Sequence, residues 1–208
     1  KGNRNWMRSR ESQLESKNMP KKELGKALPT IVDGGSDSAQ MDNVLELMVR
    51  GGKGMTHSMA MMVPESWNQK NPIRENVRDF YNFHARFMEP WDGPAAIAFT
   101  DGDVIGAMLD RNGLRPARYT ITKDNFMVMA SETGVLDIPP ENVLEKGRLQ
   151  PGKIILVDTR YGTVKYDDEV KNDLANKMPY RKWVADNQAS LNEISEKAGE
   201  DDIDSSML

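Results

Sequence analysis

The stretch Gly-Gly-Ser-Asp-Ser-Ala, residues 34–39, lies immediately before a segment whose apolar residues recur at helical spacing. These apolar residues are Met41, Val44, Leu45 and Met48. Because Ser and Asp are favoured N-cap residues and Gly commonly ends helices, the pattern predicts a helix that begins at Ser36 or Asp37 and ends at Gly51-Gly52. The stretch therefore places one carboxylate, that of Asp37, at the N-terminus of a helix.

Outward from this helix, the chain shows helical patterns first and hairpin patterns next. Further helices are predicted over residues 4–15, 56–63, 73–87, 168–176 and 180–197, with a loop over 16–35. Turn residues between apolar runs predict three hairpins, which join 95–100 to 104–110, 118–122 to 126–130, and 153–158 to 163–167. A short helix is predicted to start near Pro140. Because helices and strands do not alternate as βαβ units, the predicted fold class is α+β with antiparallel sheets.

The composition argues against several classes of function. The 208 residues carry a net charge of -4, which does not favour a basic nucleic-acid-binding face. No apolar run is long enough to span a membrane, so no membrane partner is expected. The chain has no cysteine and two histidines, so no disulfide, thiolate ligand or metal site is predicted. The expected location is the cytoplasm, and a first residue Lys1 rather than Met predicts a processed or excised piece.

Asp37 is the leading candidate for a binding residue, and two roles are open to it. As a helix cap, its carboxylate would accept backbone N–H groups and interact favourably with the helix dipole. As a ligand-binding group, it would remain ionised and face the ammonium group of a ligand. The two roles are compatible because a carboxylate has two oxygens. Ser36 and Gly35 are its predicted neighbours in such a site.

Arg111 and Arg115 are two further candidates, since they flank the turn-forming pair Asn112-Gly113. Guanidinium groups in this position could bind a carboxylate or a phosphate through paired hydrogen bonds. The alternative is structural, with Arg115 and Arg118 paired to Asp110 and Glu132 at the edge of a sheet.

Other polar and aromatic features favour structural roles. Trp91-Asp92-Gly93-Pro94 is typical of a corner between a helix and a strand, and Glu132 is expected to make a structural hydrogen bond. His84 shares a helical stripe with Phe80, which predicts a packed histidine. His57 lies on another predicted helix, and neither histidine has the spacing of a metal site.

Several of these segments, in this order, resemble one family. The residues 34–39, Trp91–Pro94 and Arg111–Pro116, with Gly2–Met7 and Lys146–Leu149, resemble the glutaminase domain of glutamate synthases, a class II glutamine amidotransferase. The resemblance covers about residues 1–180 and implies an N-terminal-nucleophile hydrolase, a four-layer αββα sandwich with antiparallel sheets. The family's domain is longer than this chain. Residues 1–178 are therefore predicted to be its second half, and 179–208 a linker helix with an acidic tail.

The resemblance also implies a chemistry. The family releases ammonia from glutamine by attack of an N-terminal cysteine, and that ammonia is used to make glutamate from 2-oxoglutarate. Asp37 matches the residue that holds the α-amino group of glutamine, whereas no catalytic residue is expected in a chain without cysteine. FMN and an iron–sulfur cluster are expected in the full-length protein and not in this fragment. The expected partners are the remaining domains of the polypeptide and a small electron-transferring subunit or a ferredoxin.

Two alternatives remain open from the sequence. One is a non-catalytic binding or scaffold domain of the same fold, and the other is a phosphoribosyl-type amidotransferase. The sequence that precedes Lys1 would discriminate between an enzyme and a scaffold. If the chain is half of a domain, strands such as Ile97–Phe99 and Val104–Met108 are expected to lack partners and to expose sheet edges.

Overall fold

The computed structural model describes residues 4–17 and 19–198, in which helices precede and follow a central set of strands. The α-helices are α1 Arg4–Glu11, α2 Lys21–Leu24, α3 Asp37–Arg50, α4 Met55–Met62, α5 Glu75–His84, α6 Asp167–Ala175, α7 Tyr180–Asn187 and α8 Leu191–Ala198. The strands are β1 Ala96–Thr100, β2 Val104–Leu109, β3 Arg118–Thr122, β4 Met127–Ala130, β5 Val143–Arg148, β6 Ile154–Asp158 and β7 Thr163–Lys165. Short 3-10 turns span Gly25–Ala27 and Pro140–Asn142. The predicted acidic tail falls in residues 199–208, outside the described residues.

The strands form two antiparallel sheets. The first sheet has the order β1-β2-β6-β7, and the second has the order β4-β3-β5. Hairpins supply three of the pairings: β1 with β2, β3 with β4, and β6 with β7. The remaining pairings, β2 with β6 and β3 with β5, join segments that are distant in the chain.

Two hydrophobic cores separate three layers. The larger core lies between the helices and the first sheet, where Val44, Met59 and Phe80 meet Met108 and Ile154. The smaller core lies between the sheets, where Leu109 and Ile155 of the first sheet pack with Tyr119, Met127 and Met129 of the second. The α+β class with antiparallel sheets is therefore confirmed. The described residues supply a helical layer and both sheet layers of a four-layer sandwich.

Several boundaries differ from the predictions. The helix predicted near Pro140 is a single 3-10 turn, and the predicted loop over residues 16–35 contains α2 and a 3-10 turn. The predicted helix over 180–197 is broken between α7 and α8. Strand β5 was not predicted at all. Its inward positions include Glu145 and Gly147 whereas Leu144 is exposed, so the usual alternation of apolar and polar residues does not mark it.

The prediction of unpaired sheet edges is right for one strand and wrong for the other. In the described residues, β1 pairs only with β2, so one side of its backbone is an open edge. Strand β2 pairs with β1 on one side and with β6 on the other. The expectation for Val104–Met108 fails because a downstream strand, Ile154–Asp158, covers that side.

A partly buried cluster of four charged side chains connects the helical layer to the first sheet. Glu65 follows α4, Lys153 immediately precedes β6, and Asp167 and Lys171 belong to α6. The Lys171 ammonium contacts a Glu65 carboxylate oxygen, lies 2.7 Å from Asp167 Oδ1, and donates to the backbone oxygen of Gly152 at 2.9 Å. Lys153 Nζ lies 3.0 Å from both Glu65 Oε2 and Asp167 Oδ2. Two ammonium groups thus balance two carboxylates.

This ionic cluster is important for stability because two of its side chains are buried. Glu65 is 5% exposed and Lys171 is 6% exposed. Burial lowers the pKa of Lys153, but the hydrogen bonds and charges of Asp167 and Glu65 outweigh this and raise the pKa overall. The pKa of the neighbouring Tyr81 is raised by burial and by the charges of Glu65 and Asp167. The carboxylates are therefore held beside ammonium groups in a region where an unpaired charge is strongly unfavourable.

A second buried polar contact joins α4 to α5 through two histidines. His57 Nε2 and His84 Nε2 are 2.8 Å apart, and His84 Nδ1 lies 2.7 Å from the backbone oxygen of Phe80. Because a carbonyl oxygen only accepts, His84 Nδ1–H donates to it, which leaves His84 Nε2 to accept from His57 Nε2–H. The rings of Phe80 and Tyr180 also contact His84. The prediction that His84 is a packed histidine is confirmed, but its pairing with His57 was not foreseen.

We predict that Lys171→Ala destabilises the chain strongly. The substitution leaves the buried carboxylate of Glu65 with one ammonium partner instead of two. Breaking a buried ion pair in this way costs about 3–5 kcal/mol of unfolding free energy. Urea denaturation measures the change. The matched control is Lys165→Ala, which removes an exposed pair with Asp173 at 2.7 Å and should cost about 1 kcal/mol or less. Equal effects of the two substitutions would contradict the prediction.

We predict that the histidine pair makes the chain acid-sensitive. Burial is the main cause that lowers the pKa of each histidine from 6.5 to about 4. The unfolded chain therefore takes up protons at a higher pH than the folded chain. Stability is fully present above pH 6.5 and declines toward pH 4, by about 2 kcal/mol per histidine between pH 6.5 and pH 4.5. Carboxylates also titrate in this range, so the measurement is the difference between the original chain and His84→Gln. Identical pH profiles for the two proteins would refute the prediction.

Candidate functional site

The turn that delivers Asp37 is fixed by hydrogen bonds at the start of α3. Ser36 is the N-cap: its hydroxyl accepts from the backbone N–H of Ala39 at 3.1 Å. Asp37 is therefore the first helical residue rather than the cap, and its carboxylate lies where the helix dipole favours a negative charge. Gln40 Nε2 donates to the backbone oxygens of Val32 and Gly35, at 3.0 and 3.1 Å, which ties the preceding turn to the helix.

Glycine is required in this turn for two separate reasons. Gly34 has φ +80°, a left-handed conformation that glycine adopts readily. A Cβ atom on Gly35 would lie 3.1 Å from the backbone oxygen of Val32. The glycine pair thus allows the chain to approach the helix closely before it turns into Ser36.

Asp37 is accessible as well as ordered. Its side chain is 35% exposed, and Asp37 Oδ1 lies 3.6 Å from Nε of Arg4 in α1. An exposed carboxylate at a helix N-terminus remains able to meet a ligand, which a buried cap would not be. The geometry therefore permits Asp37 to act as a ligand-binding group as well as at the start of the helix.

Asp37 faces a groove of about 990 Å³ between α3 and the open edge of the first sheet. One wall consists of residues from Ser36 to Leu45 together with Met59, and the other consists of residues 91–100. The ionisable side chains that line it are Asp37, Asp42 and Asp92. All ionisable side chains that line the groove are therefore acidic, and the rest of the lining is largely apolar, which favours a ligand with a cationic group.

Arg111 lies beside this groove and not in its lining. Its guanidinium Nη2 pairs with Asp92 Oδ2 at 2.9 Å, and both side chains are about half exposed. Its other neighbours form a separate, smaller cavity that also contains Trp67, Tyr81 and Trp91. The pairing with Asp92 holds the corner that leads into β1. A role of Arg111 toward a ligand stays a prediction.

Arg115 lies in a third place, a shallow recess that it shares with Pro94, Ala95 and Glu132. The alternative ion pairs predicted for Arg115 and Arg118 are wrong within the described part of the chain, since neither arginine lies within ion-pair distance of an acidic group there. Asp110 is instead 3% exposed and makes hydrogen bonds to the backbone. Its carboxylate accepts from the N–H groups of Ala95 and Asn112, each at 3.0 Å.

Asp110 thus has a structural role through backbone hydrogen bonds, whereas the sequence predicted an ion pair for it. Its backbone oxygen also accepts from Gly113 at 3.0 Å and from Gly152 at 2.9 Å. Together these bonds join the turn after β2 to the start of β1 and to the segment before β6. The signal that could have found it is a carboxylate two residues before a turn-forming Asn-Gly pair.

The corner Trp91-Asp92-Gly93-Pro94 has the predicted structural role. The N–H of Trp91 donates to the backbone oxygen of Met62 at 2.6 Å, and its ring packs against the larger core. This contact joins the end of α4 to the segment that enters β1. The corner therefore sets the distance between the two walls of the groove.

The described ranges, 4–17 and 19–198, contain neither a cluster of metal-ligating side chains nor a membrane-spanning helix. No group of three or more histidine or acidic side chains there is arranged to hold a metal ion. No helix in those ranges combines the length and hydropathy needed to cross a membrane.

Residues 1–183 match the sequence family described as glutamine amidotransferases class-II. The chain is 45% identical over 201 residues to the glutamate synthase [NADPH] large chain of Bacillus subtilis, a match that covers 97% of this chain and 13% of the relative. It is 42% identical to the ferredoxin-dependent glutamate synthase 2 of Synechocystis, over 88% of this chain and 12% of the relative. It is also 42% identical to the glutamate synthase [NADH] of Schizosaccharomyces pombe, over 93% and 9%. The chain thus spans only a small part of the length of these relatives.

Proposed function

The chain belongs to the class-II glutamine amidotransferases, and on this premise we propose that it forms the glutamine-binding part of the glutaminase domain of a glutamate synthase. In this proposal residues 1–178 are the second half of that domain, and residues 179–208 lead to the next one. The substrate is glutamine. The product ammonia serves the reductive synthesis of glutamate from 2-oxoglutarate within the same polypeptide.

The observation that carries the proposal is the position of Asp37. The Asp37 carboxylate, at the N-terminus of α3, lines a groove whose ionisable side chains are all acidic. The α-ammonium of glutamine is a compact cation that such a carboxylate binds by a charge-assisted hydrogen bond. Ser36 and Gly35 would support it by fixing the turn, because the Ser36 hydroxyl is already engaged with the backbone N–H of Ala39.

The reaction's nucleophile has to come from outside this chain. The 208 residues contain no cysteine, so the thiol that attacks the glutamine amide in this family is not among them. What the chain contributes is binding and orientation: Asp37 holds one end of the substrate while the apolar groove walls contact its aliphatic part. Arg111 and Arg115 remain candidates for contacts with the α-carboxylate.

The cofactors of the full-length enzyme do not fit this chain. Iron–sulfur clusters are held mainly by cysteine thiolates, and the chain has none to offer. FMN needs a cradle for its phosphate, and no glycine-rich strand–helix loop of that kind occurs in the sequence. We therefore assign FMN and the cluster to other regions of the polypeptide.

The nature of the electron donor belongs to the same proposal. The relatives include NADPH-, NADH- and ferredoxin-dependent glutamate synthases. A small electron-transferring subunit or a ferredoxin therefore stays a predicted partner, and a cytoplasmic location stays a prediction. The names of these relatives favour a glutamate synthase over a phosphoribosyl-type amidotransferase. The effect of substituting Asp37 on the kinetics with glutamine decides between part of an enzyme and a scaffold domain.

We predict that Asp37→Asn, in the complete polypeptide that carries this chain, weakens the use of glutamine. The substitution keeps a hydrogen-bonding oxygen but removes the charge that attracts the α-ammonium. A charge-assisted hydrogen bond contributes about 1.5–3 kcal/mol, so glutamine-dependent turnover at low substrate should fall about tenfold to a hundredfold. Turnover with free ammonia should be retained, because ammonia bypasses this site. Steady-state kinetics with each nitrogen donor measures both.

The matched control for this experiment is Glu46→Gln. Glu46 lies on the same helix, is exposed, and pairs with Arg50 at 3.5 Å. It should change neither reaction. If Asp37→Asn lowers thermal stability and leaves the glutamine kinetics intact, Asp37 is a structural residue and the scaffold alternative gains support.

We predict that the purified 208-residue chain alone releases no ammonia from glutamine. It has no thiol, the group that attacks the glutamine amide in this family. Coupled detection of ammonia over a heat-inactivated blank tests this. Release above the blank that scales with chain concentration would show that the chain contains its own nucleophile, contrary to the proposal.

A further inference from the structure

We propose that helix α1 is a positioning element for the glutamine site and that its residue Arg4 acts on the substrate through Asp37. This inference rests on the proposed function of Asp37 and adds a residue to it. The starting observation is a spacing: Arg4, Arg8 and Glu11 recur at i, i+4 and i+7, so they share one face of α1. That face lies along the segment of residues 30–37.

The three side chains contact this segment in reverse order, so α1 runs antiparallel to it. Glu11 Oε1 accepts from the backbone N–H groups of Thr30 at 2.9 Å and Ile31 at 3.1 Å, and also from the Thr30 hydroxyl. Arg8 Nη2 donates to Asp33 Oδ2 at 3.0 Å. Arg4 Nε lies 3.6 Å from Asp37 Oδ1. The contacts thus form a polar ladder from one end of the segment to the other.

The ladder is anchored at its buried end and open at its functional end. Thr30 and Ile31 are 3% and 4% exposed, so the Glu11 contacts are fixed in the interior. The side chains of Arg4 and Asp37 are 47% and 35% exposed. The arrangement fixes the backbone that leads to Asp37 but leaves the carboxylate itself accessible from the groove.

The same helix also contacts the segment that leads into the second wall of the groove. Arg10 Nε and Nη2 both donate to the Glu89 carboxylate, and Nε lies 3.1 Å from Oε2. The hydrogen bond from Arg10 is the main cause that lowers the pKa of Glu89, so this carboxylate is charged at neutral pH. Glu89 lies two residues before the segment 91–100 that forms the second wall. Helix α1 is therefore tied to the chain that leads into that wall.

The geometry at Arg4 decides how it acts. At 3.6 Å the contact is longer than a hydrogen bond, so the guanidinium orients the carboxylate through charge. A carboxylate that is already oriented loses less conformational freedom when it meets the substrate ammonium. A direct competitor for Asp37 would have the opposite effect, since its removal would strengthen substrate binding. The sign of the change in KM therefore separates the two roles.

The test is Arg4→Gln in the complete polypeptide, assayed with glutamine and with ammonia. The pair is exposed, so the KM for glutamine should rise about two- to fivefold. The kcat with glutamine and the ammonia-dependent rate should be unchanged. Arg4→Lys retains the positive charge and should restore most of the original KM. The matched control is Arg50→Gln, which removes an exposed arginine–carboxylate pair of 3.5 Å from the other end of α3 and should change nothing.

A double-substitution cycle tests whether Arg4 acts through Asp37. In the Asp37→Asn background, Arg4→Gln should produce no further change in KM, because the charge that Arg4 orients is gone. Additive effects would overturn the inference, and so would an unchanged or lowered KM in Arg4→Gln. These results leave the proposed function intact as long as Asp37→Asn alone impairs the use of glutamine. If Asp37→Asn has no effect, the proposed function itself is wrong.

Discussion

The charged cluster of Glu65, Lys153, Asp167 and Lys171 is the constraint on which the arrangement of layers depends. It joins the loop after α4, the start of β6 and the first turns of α6, which are distant in sequence. Because Lys171 and Glu65 are almost inaccessible, any displacement of one element would leave a charge without its partner in a poorly solvated region. Strand β6 in turn pairs with β2, and β2 pairs with β1. The edge of β1 forms one wall of the groove. Its position therefore depends on this cluster through β2 and β6.

The groove itself combines a hydrogen-bonded frame with accessible carboxylates. Asp110 and the Trp91 corner fix the entry to β1, while Ser36 and Gln40 fix the entry to α3. Each of these contacts is made by or to a backbone group, so each sets the path of the chain rather than the position of one side chain. Asp37 is the accessible carboxylate that this frame presents at the N-terminus of α3. Backbone hydrogen bonds thus hold the frame, whereas the proposed binding group, Asp37, remains accessible.

The sequence predicted what local patterns encode and missed what distant contacts create. The hairpins and the start of α3 were predicted because turn residues and helical spacing lie within a few positions of each other. Strand β5 was missed because Glu145 faces inward, where it accepts from the hydroxyl groups of Tyr119 and Tyr166 at 2.8 and 2.6 Å. The pairs Arg111–Asp92 and His57–His84 join residues that are 19 and 27 positions apart, and no local pattern specifies such partners. The motif around Asp37 was identifiable, but its neighbour Arg4 was not.

Because Asp37 is partly exposed, its carboxylate alone does not make a complete binding site for the proposed substrate. An ion pair at a site that is 35% exposed is weakened by water and salt and contributes about 1 kcal/mol or less. The stronger interaction expected with glutamine requires that water be excluded when the substrate is bound. In the described residues, the groove beside Asp37 is bounded on one side by the open edge of β1, whose backbone groups also lack strand partners there. Covering that edge would satisfy those groups and lower the local dielectric around Asp37 at the same time. In the proposed role of Asp37, the affinity for glutamine therefore depends both on this carboxylate and on how that edge is covered.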